Sequence, residues 1–338
     1  MYDIITFGSA SQDIFLKSKD FKVFKNKVDF ATGKGICLPF GSKIDVEDVV
    51  FTSGGGGTNT AATFAKQGFK VAFCGAIGAD VFGLEIVREL KQFRIDTRFL
   101  VKKKEKKTNC SVIVSKGRGE RTILVYRGAS ELLCDKDINW KKIKKAKWFY
   151  AAPITGLLCD NLIDIMTFAK TYNIKVAMNP SKQQLSLPES QLKSILQKID
   201  ILFLNQEEAS FLTKISYEKE SEIFKKIDEI CPGVAVMTKG GEGVVVSDGK
   251  YLYSAKADSK RKVIDTTGAG DSFASGFLSE FIKSNGDIEK SIQLGLANSA
   301  GNLAEVGAKT GLLKKGAYFV KVPVSKQECG KNNLCIEK

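Results

Sequence analysis

The amino-acid sequence predicts an α/β fold whose central sheet is mostly parallel and is covered by helices on both faces. Short apolar runs alternate with longer amphipathic stretches along most of the 338 residues, which is the pattern of repeated strand–helix–strand units. The chain is 43% hydrophobic and 27% charged, so it can bury a substantial core. The sequence contains no low-complexity linker, and this favours one domain over two domains joined by a tether.

Six short apolar runs predict the parallel strands, because each is bounded by polar or turn residues and is too short for a helix. They are residues 4–7, 71–74, 148–150, 175–178, 201–204 and 234–238. The stretches around them have a helical period. The predicted helices are residues 59–67, 82–92, 156–172, 206–212, 218–230, 268–282 and 288–303. Ligands of such sheets bind beyond the carboxyl ends of the strands, so the polar residues that follow each strand are candidate site residues.

Two segments, residues 11–50 and 98–128, interrupt this alternation. Both carry short β-like pieces separated by turn residues, so they are predicted to pair into a small extra sheet. Such a sheet beside a crevice is typical of a lid that excludes water, but the pattern fits an edge of the main sheet without a functional role equally well. The single domain is predicted to span residues 1–325, followed by a polar C-terminal tail at 326–338.

The composition excludes several kinds of chemistry. Histidine is absent, which removes His-based acid catalysis, His-activated nucleophiles and zinc sites that need an imidazole. Carboxylates, lysines, hydroxyls and backbone groups remain. No apolar run approaches the roughly 20 residues of a bilayer span, and the N-terminus lacks the features of a signal peptide. A cytoplasmic protein without a membrane partner is therefore expected.

The charge balance favours anionic partners. Lys and Arg number 52 against 38 Asp and Glu, a net charge of +14, which attracts nucleic acids, nucleotides and acidic metabolites alike. The lysine runs at 102–107 and 141–145 lack the interleaved aromatic residues of a single-strand-binding surface. A solvated basic face is favoured, and no nucleic-acid partner is expected.

The strongest chemical motif is the segment 265–271, DTTGAGD, at the start of a predicted helix. Gly268, Ala269 and Gly270 leave the backbone bare there, so successive N–H groups and the positive end of the helix dipole can converge on an anion. Asp271 lies within the first turn, where a carboxylate can accept the proton of a hydroxyl that attacks phosphorus. The simpler alternative is an ordinary acidic residue that stabilises the helix N-terminus.

Two groups in the N-terminal part of the chain suit a polyol ligand. The glycine cluster at 54–57 precedes a predicted helix, and its glycines let a ligand approach the backbone closely. Asn59 can both donate and accept hydrogen bonds, and Asp13, after the first strand, can bond two sugar hydroxyls. A flexible loop with a capping residue explains the cluster equally well without a ligand.

Two loops that follow consecutive predicted strands suit a nucleotide and its metal ion. Asn205 and Glu208 follow one strand, and their oxygens suit hydrated Mg²⁺ held against phosphate groups. A capping asparagine with first-turn acids is the equal alternative. Thr238, Gly240 and Gly243 follow the next strand, and these glycines can admit a ribose or phosphates, although a plain hairpin turn has the same pattern.

Together these motifs resemble those of the ribokinase-like, or PfkB, family of carbohydrate and nucleoside kinases over almost the whole chain. The segment GGGGTN at 54–59 resembles the first signature of the family, and DTTGAGDSFASGF at 265–277 resembles its highly specific second signature. The resemblance implies a three-layer α/β/α sandwich with a small β-sheet lid, ATP and Mg²⁺ as cofactors, and transfer of the γ-phosphoryl group to an alcohol. It also implies a homodimer formed through the lid.

The resemblance further implies a role for each motif residue. The catalytic and substrate residues would be Asp271 as base, the backbone of Gly268, Ala269 and Gly270 as anion hole, and Asp13, Gly55 and Asn59 at the sugar. The cofactor residues would be Asn205, Thr238, Gly240 and Gly243 at the nucleotide, Asn298 near the adenine, and Glu208 at Mg²⁺ through water. Many relatives also hold a monovalent cation, which would place K⁺ at Asp265, Thr267 and Gly307.

Two features bear on the substrate. Ribokinases proper tend to have a lysine at the third position of the glycine cluster, where this chain has Gly56, so ribose itself is not favoured. Arg127 follows a lid-like strand, where an arginine can meet a substrate phosphate or can be a surface charge.

The expected function is ATP-dependent phosphorylation of a hydroxyl group of a sugar or a sugar-containing small molecule. A nucleoside kinase of the same fold, acting on an adenosine-, inosine- or cytidine-like substrate, is the nearest alternative. A non-catalytic sugar or nucleotide sensor is a more distant one, because the acidic position and the bare glycines of the second signature are intact.

Overall fold

The structure is a computed structural model that describes residues 1–25, 33–116, 121–258 and 263–328. The strands within these ranges are β1 (Ile4–Phe7), β2 (Ser11–Lys17), β3 (Lys22–Lys25), β4 (Lys34–Cys37), β5 (Asp48–Gly54), β6 (Val71–Gly78), β7 (Asp96–Lys103), β8 (Asn109–Ser115), β9 (Arg121–Tyr126), β10 (Trp148–Ala151), β11 (Lys175–Met178), β12 (Ile201–Asn205), β13 (Val234–Thr238), β14 (Val244–Ser247), β15 (Tyr251–Ala255) and β16 (Val324–Glu328). The α-helices are α1 (Gly56–Lys66), α2 (Val81–Gln92), α3 (Trp140–Ile143), α4 (Leu157–Asp160), α5 (Leu162–Thr171), α6 (Lys182–Leu185), α7 (Glu189–Leu196), α8 (Gln206–Thr213), α9 (Glu220–Ile230), α10 (Ala269–Lys283) and α11 (Ile288–Leu303).

The main sheet has ten strands in the order β16-β15-β14-β13-β12-β11-β10-β1-β6-β7. All pairs from β13 to β7 are parallel, and the three pairs from β13 to β16 are antiparallel. The predicted parallel core is therefore confirmed. The antiparallel edge was not predicted, because its short strands follow turns rather than helices.

Alternate residues of each central strand enter two separate cores. On β1, Ile4 packs in one core with α1, α2, α10 and α11, while Ile5 packs in the other with α3 to α9. Both residues are fully buried. Helices on both faces of one sheet make a three-layer α/β/α sandwich, which confirms the predicted fold class.

A separate four-stranded sheet has the order β5-β2-β8-β9 and forms what is here called the lid sheet. The strand β2 pairs antiparallel with β5 and parallel with β8, and β9 is the second edge. The predicted small sheet is thus present. Its predicted limits need correction, because β7 belongs to the main sheet and β5 continues to Gly54.

Two predicted boundaries also differ from the structure. The helix predicted at 156–172 is divided into α4 and α5 at Asn161, whose backbone has φ −100° and ψ 15°. The tail predicted from residue 326 begins inside β16, which pairs with β15 over five residue pairs. Residues 329–338 of that tail lie outside the described residues.

Candidate active site

The site forms where the parallel strands end and α10 begins. Gly268 precedes α10 in the left-handed region with φ 77°, a conformation that glycine adopts without steric cost. Within the described chain, the Gly268 and Gly270 amides donate to no protein acceptor, whereas Ala269 donates to the Thr266 carbonyl at 3.3 Å. A Cβ added at Gly270 would meet nothing within 4 Å. Two unpaired amides therefore lie at the positive end of a 15-residue helix, and open space adjoins the one at Gly270.

Asp271, in the first turn of α10, is joined to the start of α1. Asn59 Nδ2 donates a hydrogen bond to Asp271 Oδ2 at 2.8 Å, although the two residues are 212 positions apart. Asp271 is half-buried, and no protein donor of the described chain reaches its Oδ1. A Cβ at Gly56 would lie 3.4 Å from this Oδ1. This oxygen is not among the buried side-chain atoms that lack a partner, so it remains accessible.

Asn59 carries a second polar atom, which is buried. Its side chain is nearly inaccessible, with 5% exposure, and its Oδ1 is buried without a hydrogen-bond partner among the described residues. A buried amide oxygen without a donor costs free energy, which a ligand hydroxyl or a water molecule would recover. Asn59 thus orients Asp271 with its nitrogen, while its oxygen remains a buried acceptor without a donor among the described residues.

The environment of Asp271 makes its carboxylate more basic. Burial raises the pKa of Asp271 above its usual value, and the negative charge of Asp13 raises it further. The hydrogen bond from Asn59 and the positive charge of Lys309 act in the opposite direction. A raised pKa suits a group that must accept a proton from an alcohol.

Asp13 lies on β2 of the lid sheet and is 4% exposed. Ser11 Oγ donates to its Oδ1 at 3.0 Å, and burial is the main cause that raises its pKa. A Cβ at Gly54 would lie 1.9 Å from Asp13 Oδ2, and one at Gly55 would lie 2.5 Å from the Ser9 carbonyl oxygen. A side chain is therefore excluded at both positions, because the protein's own carboxylate and backbone occupy the space that a Cβ would need.

Lys309, which sequence reasoning missed, supplies a buried positive charge near both aspartates. It is 6% exposed, and its Nζ bonds Glu89 Oε2 at 2.8 Å and also Ser53 Oγ. Its charge lowers the pKa of Asp13 and of Asp271, against the larger effect of burial on each. No local pattern marks Lys309, because it lies in an irregular segment after α11 and meets these groups only through folding.

Beyond β12, Asn205 and Glu208 form a reciprocal cap of α8. The Asn205 amide donates to Glu208 Oε2, and the Glu208 amide donates to Asn205 Oδ1, both at 2.8 Å. The capping of α8 is therefore sufficient to explain an asparagine at position 205. Burial raises the pKa of Glu208, and the negative charges of Glu207 and Asp271 add to the effect. Glu208 and Asp271 consequently lie near enough to repel each other.

The loop after β13 contains two glycines in different settings. Thr238 Oγ1 donates to the Leu204 carbonyl at 3.4 Å at the carboxyl end of β13. Gly240 is exposed, and a Cβ there would meet nothing within 4 Å, so its backbone is open to a ligand. Gly243 is buried, and a Cβ there would lie 2.0 Å from the Ala255 carbonyl oxygen. Gly243 therefore serves the packing of the edge strands.

Asn298, which the family resemblance places near an adenine, makes several contacts within the protein. Asn298 is fully buried, and its Nδ2 donates to the Ser272 carbonyl at 2.7 Å and to Thr63 Oγ1 at 3.3 Å. Its Oδ1 accepts the Leu313 amide at 2.8 Å. The side chain uses its hydrogen-bonding groups to join α11 to α10 and α1, so none is left for a ligand.

The arginine of the lid sheet that contacts the site is Arg121, whereas the sequence suggested Arg127. Arg127 is exposed just after β9 and forms no hydrogen bond or ion pair within the described chain. Arg121, at the start of β9, reaches the loop before α10, where its Nη1 lies 2.6 Å from Asp265 Oδ1 and 2.7 Å from Thr267 Oγ1. Asp265 and Gly307 are also brought together, since Asp265 Oδ2 accepts the Gly307 amide at 3.0 Å.

Asn179 is a further residue that sequence reasoning missed. It directly follows β11, is half-buried, and donates from Nδ2 to the Phe203 carbonyl at 3.1 Å. It therefore lies at the same edge of the sheet as Asn205. The rule that polar residues after a strand are site candidates applies to Asn179 as well, because the strand at 175–178 was predicted correctly.

The described residues include no group of three or more Cys, Asp or Glu that could hold a metal ion alone. A divalent ion at this edge would therefore need further ligands from water or from a bound molecule. Of the helices in the described ranges, none is long and apolar enough to cross a membrane.

The raised pKa of Asp271 predicts a stability effect. Asp271→Asn removes the ionised carboxylate and keeps an acceptor for Asn59. A carboxyl whose pKa rises on folding contributes stability below its unfolded-state pKa and loses that contribution as the pH rises through its folded-state pKa. The variant should therefore melt at least about 2 °C above the wild type near pH 8, with the difference shrinking towards pH 4.

Calorimetric melting across this pH range measures the effect. Glu289→Gln, which changes an exposed first-turn acid of α11, is the matched control and should show no such pH-dependent gain. An Asp271→Asn protein that melts below the wild type near pH 8 would contradict the argument from burial.

Known kinases are similar to this chain in sequence and in fold. Ribokinase from Staphylococcus aureus (strain COL) is 28% identical over 276 residues, which cover 80% of this chain and 89% of the relative. Adenosine kinase 2 from Arabidopsis thaliana is 26% identical over 313 residues, which cover 86% of this chain and 87% of the relative. The structure of Arabidopsis thaliana ribokinase complexed with ribose and ATP shares the fold, with a TM-score of 0.75 at 21% identity over 93% of this chain and 96% of that one.

A family model covers almost the whole chain. The model described as pfkB family carbohydrate kinase matches residues 7–315. This range includes both glycine-rich helix starts and the strands that lead to them. The protein therefore belongs to the pfkB family and is a carbohydrate kinase.

Proposed function

We propose that this kinase transfers the γ-phosphoryl group of ATP to a hydroxyl group of a sugar or a sugar-containing small molecule. The position of Asp271 carries the proposal. One of its oxygens is held by Asn59, the other is accessible, and the helix start beside it presents unpaired amides. A base next to an anion-binding helix end meets the needs of an alcohol that attacks phosphorus.

In the proposed reaction the substrate hydroxyl donates a hydrogen bond to Asp271 Oδ1. As its oxygen attacks the γ-phosphorus, the proton passes to Asp271, and the bond from the γ-phosphorus to the bridging oxygen breaks to release ADP. The amides of Gly268 and Gly270 stabilise the negative charge on the oxygens of the transferred group. Solvent then removes the proton from Asp271.

The nucleotide lies on the side of Thr238 and Gly240 in this proposal. The open backbone at Gly240 supports that placement, as does the ATP named for the Arabidopsis ribokinase structure. Mg²⁺ fits beside Glu208, because the charge of Asp271 helps raise the pKa of Glu208 and a cation would relieve this repulsion. When bound through water and phosphate oxygens, Mg²⁺ neutralises phosphate charge.

The acceptor lies between the lid sheet and α1. The Asp13 carboxylate and the unpaired Oδ1 of Asn59 bind its hydroxyl groups, against the backbone of Gly55. At Gly56 a Cβ would lie 2.9 Å from Pro153 Cδ and 3.3 Å from Ala152 Cβ, so the protein's own packing requires a glycine there.

A nucleoside kinase is the second candidate. The 26% identity to an adenosine kinase over 86% of this chain favours it. A nucleoside presents the same hydroxymethyl group as a free pentose and adds a base to the sugar, so the proposed role of Asp271 is unchanged.

ADP release in a panel of free sugars, sugar phosphates and nucleosides tests the proposal. Acceptor-dependent release with one class supports the kinase activity and identifies that class. Binding of these compounds without any ADP release would indicate a sensor and overturn the proposal.

Loss of the base should affect turnover far more than nucleotide binding. Asp271→Ala should lower kcat by about 10²–10⁴-fold, because proton transfer to a positioned base contributes this much. ATP binding measured by calorimetry should persist. Glu289→Ala, in the first turn of α11, should behave as the wild type. A variant at Asp271 that keeps most of its kcat would remove this residue from the proposed role.

We also propose a homodimer that forms through the lid sheet. The edge strand β9 exposes four consecutive large apolar side chains, and β5 adds two; they are Ile123, Leu124, Val125, Tyr126, Val49 and Phe51, between 40% and 62% exposed. An apolar edge strand of this kind is a liability in a monomer. A second copy of the same sheet would cover it.

Light scattering after size-exclusion chromatography measures the oligomeric state of the protein. The wild type should have twice the chain mass, and Leu124→Lys should shift it to the monomer because a charge would be buried at the interface. Tyr318→Lys, at a 92% exposed aromatic residue outside the lid sheet, should remain dimeric. A monomeric wild type would refute the lid dimer.

A further inference from the structure

The contact between Arg121 and the loop before α10 joins two parts of the chain that are 144 positions apart. Arg121 Nη1 lies 2.6 Å from Asp265 Oδ1 and 2.7 Å from Thr267 Oγ1. The side chains of Arg121 and Asp265 are 26% and 8% exposed. A guanidinium therefore occupies one face of a carboxylate that is almost removed from solvent.

The other donors around Asp265 leave little capacity for a second cation. Its Oδ1 also accepts the Thr267 amide at 3.0 Å and the Thr267 hydroxyl at 2.8 Å. Its Oδ2 accepts the Gly307 amide at 3.0 Å. Both carboxylate oxygens are thus surrounded by N–H and O–H donors, with the guanidinium as the source of positive charge.

The carbonyl oxygen of Gly307 is also engaged. It accepts Asn302 Nδ2 at 2.9 Å and Thr310 Oγ1 at 3.0 Å. Asp265, Thr267 and Gly307, the residues that the family resemblance assigns to a monovalent cation, do lie together. The Arg121 guanidinium takes the position beside Asp265 Oδ1 and Thr267 Oγ1, so a monovalent cation there would meet a group of like charge.

The geometry points to Arg121 as a built-in replacement for the monovalent cation, which makes phosphoryl transfer by this chain independent of K⁺. This inference rests on the proposed function. Arg121 is a positioning residue: it neutralises Asp265, which in turn fixes Thr267 immediately before the amides of Gly268 and Gly270. Because Arg121 belongs to β9, the lid sheet also takes part in ordering this loop.

The wild-type enzyme provides the first test. ADP release with its best acceptor is measured in potassium chloride and in tetramethylammonium chloride at equal ionic strength. A change in kcat of less than about twofold supports the inference, and a larger activation by K⁺ overturns it.

Removal of the guanidinium provides the second test. Arg121→Gln should lose kcat in tetramethylammonium chloride by about 10-fold or more, with KM for ATP changing less, and K⁺ should restore most of the loss. Arg121→Lys, which keeps a positive charge, should retain more activity and show less activation by K⁺. Arg88→Gln changes an exposed helix arginine and should match the wild type. Unchanged kcat in Arg121→Gln, or a loss that K⁺ does not restore, overturns the inference.

Melting temperature gives a readout that does not depend on turnover. K⁺ should raise the melting temperature of Arg121→Gln relative to tetramethylammonium, and it should have no such effect on the wild type or on Arg88→Gln. A K⁺-dependent rise in the wild type overturns the inference, and this comparison holds even when Arg121→Gln fails to fold. A wild type that releases no ADP with any acceptor in either salt refutes the proposed function instead.

Discussion

The hydrogen bond between Asn59 and Asp271 is the interaction on which the rest of the site depends. It fastens the glycine-rich start of α1 to the glycine-rich start of α10, so two helix ends share one crevice. Both helices pack on the same face of the main sheet. The sheet therefore determines how near the two ends approach. The glycines at the start of α1 allow close packing within the protein, while Gly270 adjoins open space beside Asp271.

The site concentrates negative charge that the protein only partly compensates. Burial raises the pKa of Asp13, Glu208 and Asp271, and repulsion between acids adds to the effect. Lys309 partly neutralises this negative charge, and its Nζ is itself bonded to Glu89 on α2. Such a balance favours ligands that bring cations or hydroxyl donors, which agrees with the proposed binding of a polyol and of a nucleotide with its metal ion.

The lid sheet contributes to both halves of the proposed reaction. Asp13 on β2 is proposed to bind the acceptor, and Arg121 on β9 contacts the loop that leads to the amides of Gly268 and Gly270. These strands are separated by β8 within one hydrogen-bonded sheet. A movement of the sheet would therefore affect acceptor binding and the order of the loop together, which gives this small sheet a role beyond covering the crevice.

The sequence alone determined the parallel core and the place of Asp271 one turn into a helix, because apolar runs and glycine-rich helix starts are local patterns. It did not reveal Lys309 or Arg121, since their partners are 220 and 144 positions away in the chain. It also did not reveal the contacts of Asn298, because a polar side chain on a helix has the same local pattern whether it meets a ligand or, as here, the Ser272 carbonyl. Only tertiary packing decided which polar groups are used inside the protein and which remain for a ligand, because that depends on distances between segments that are remote in sequence.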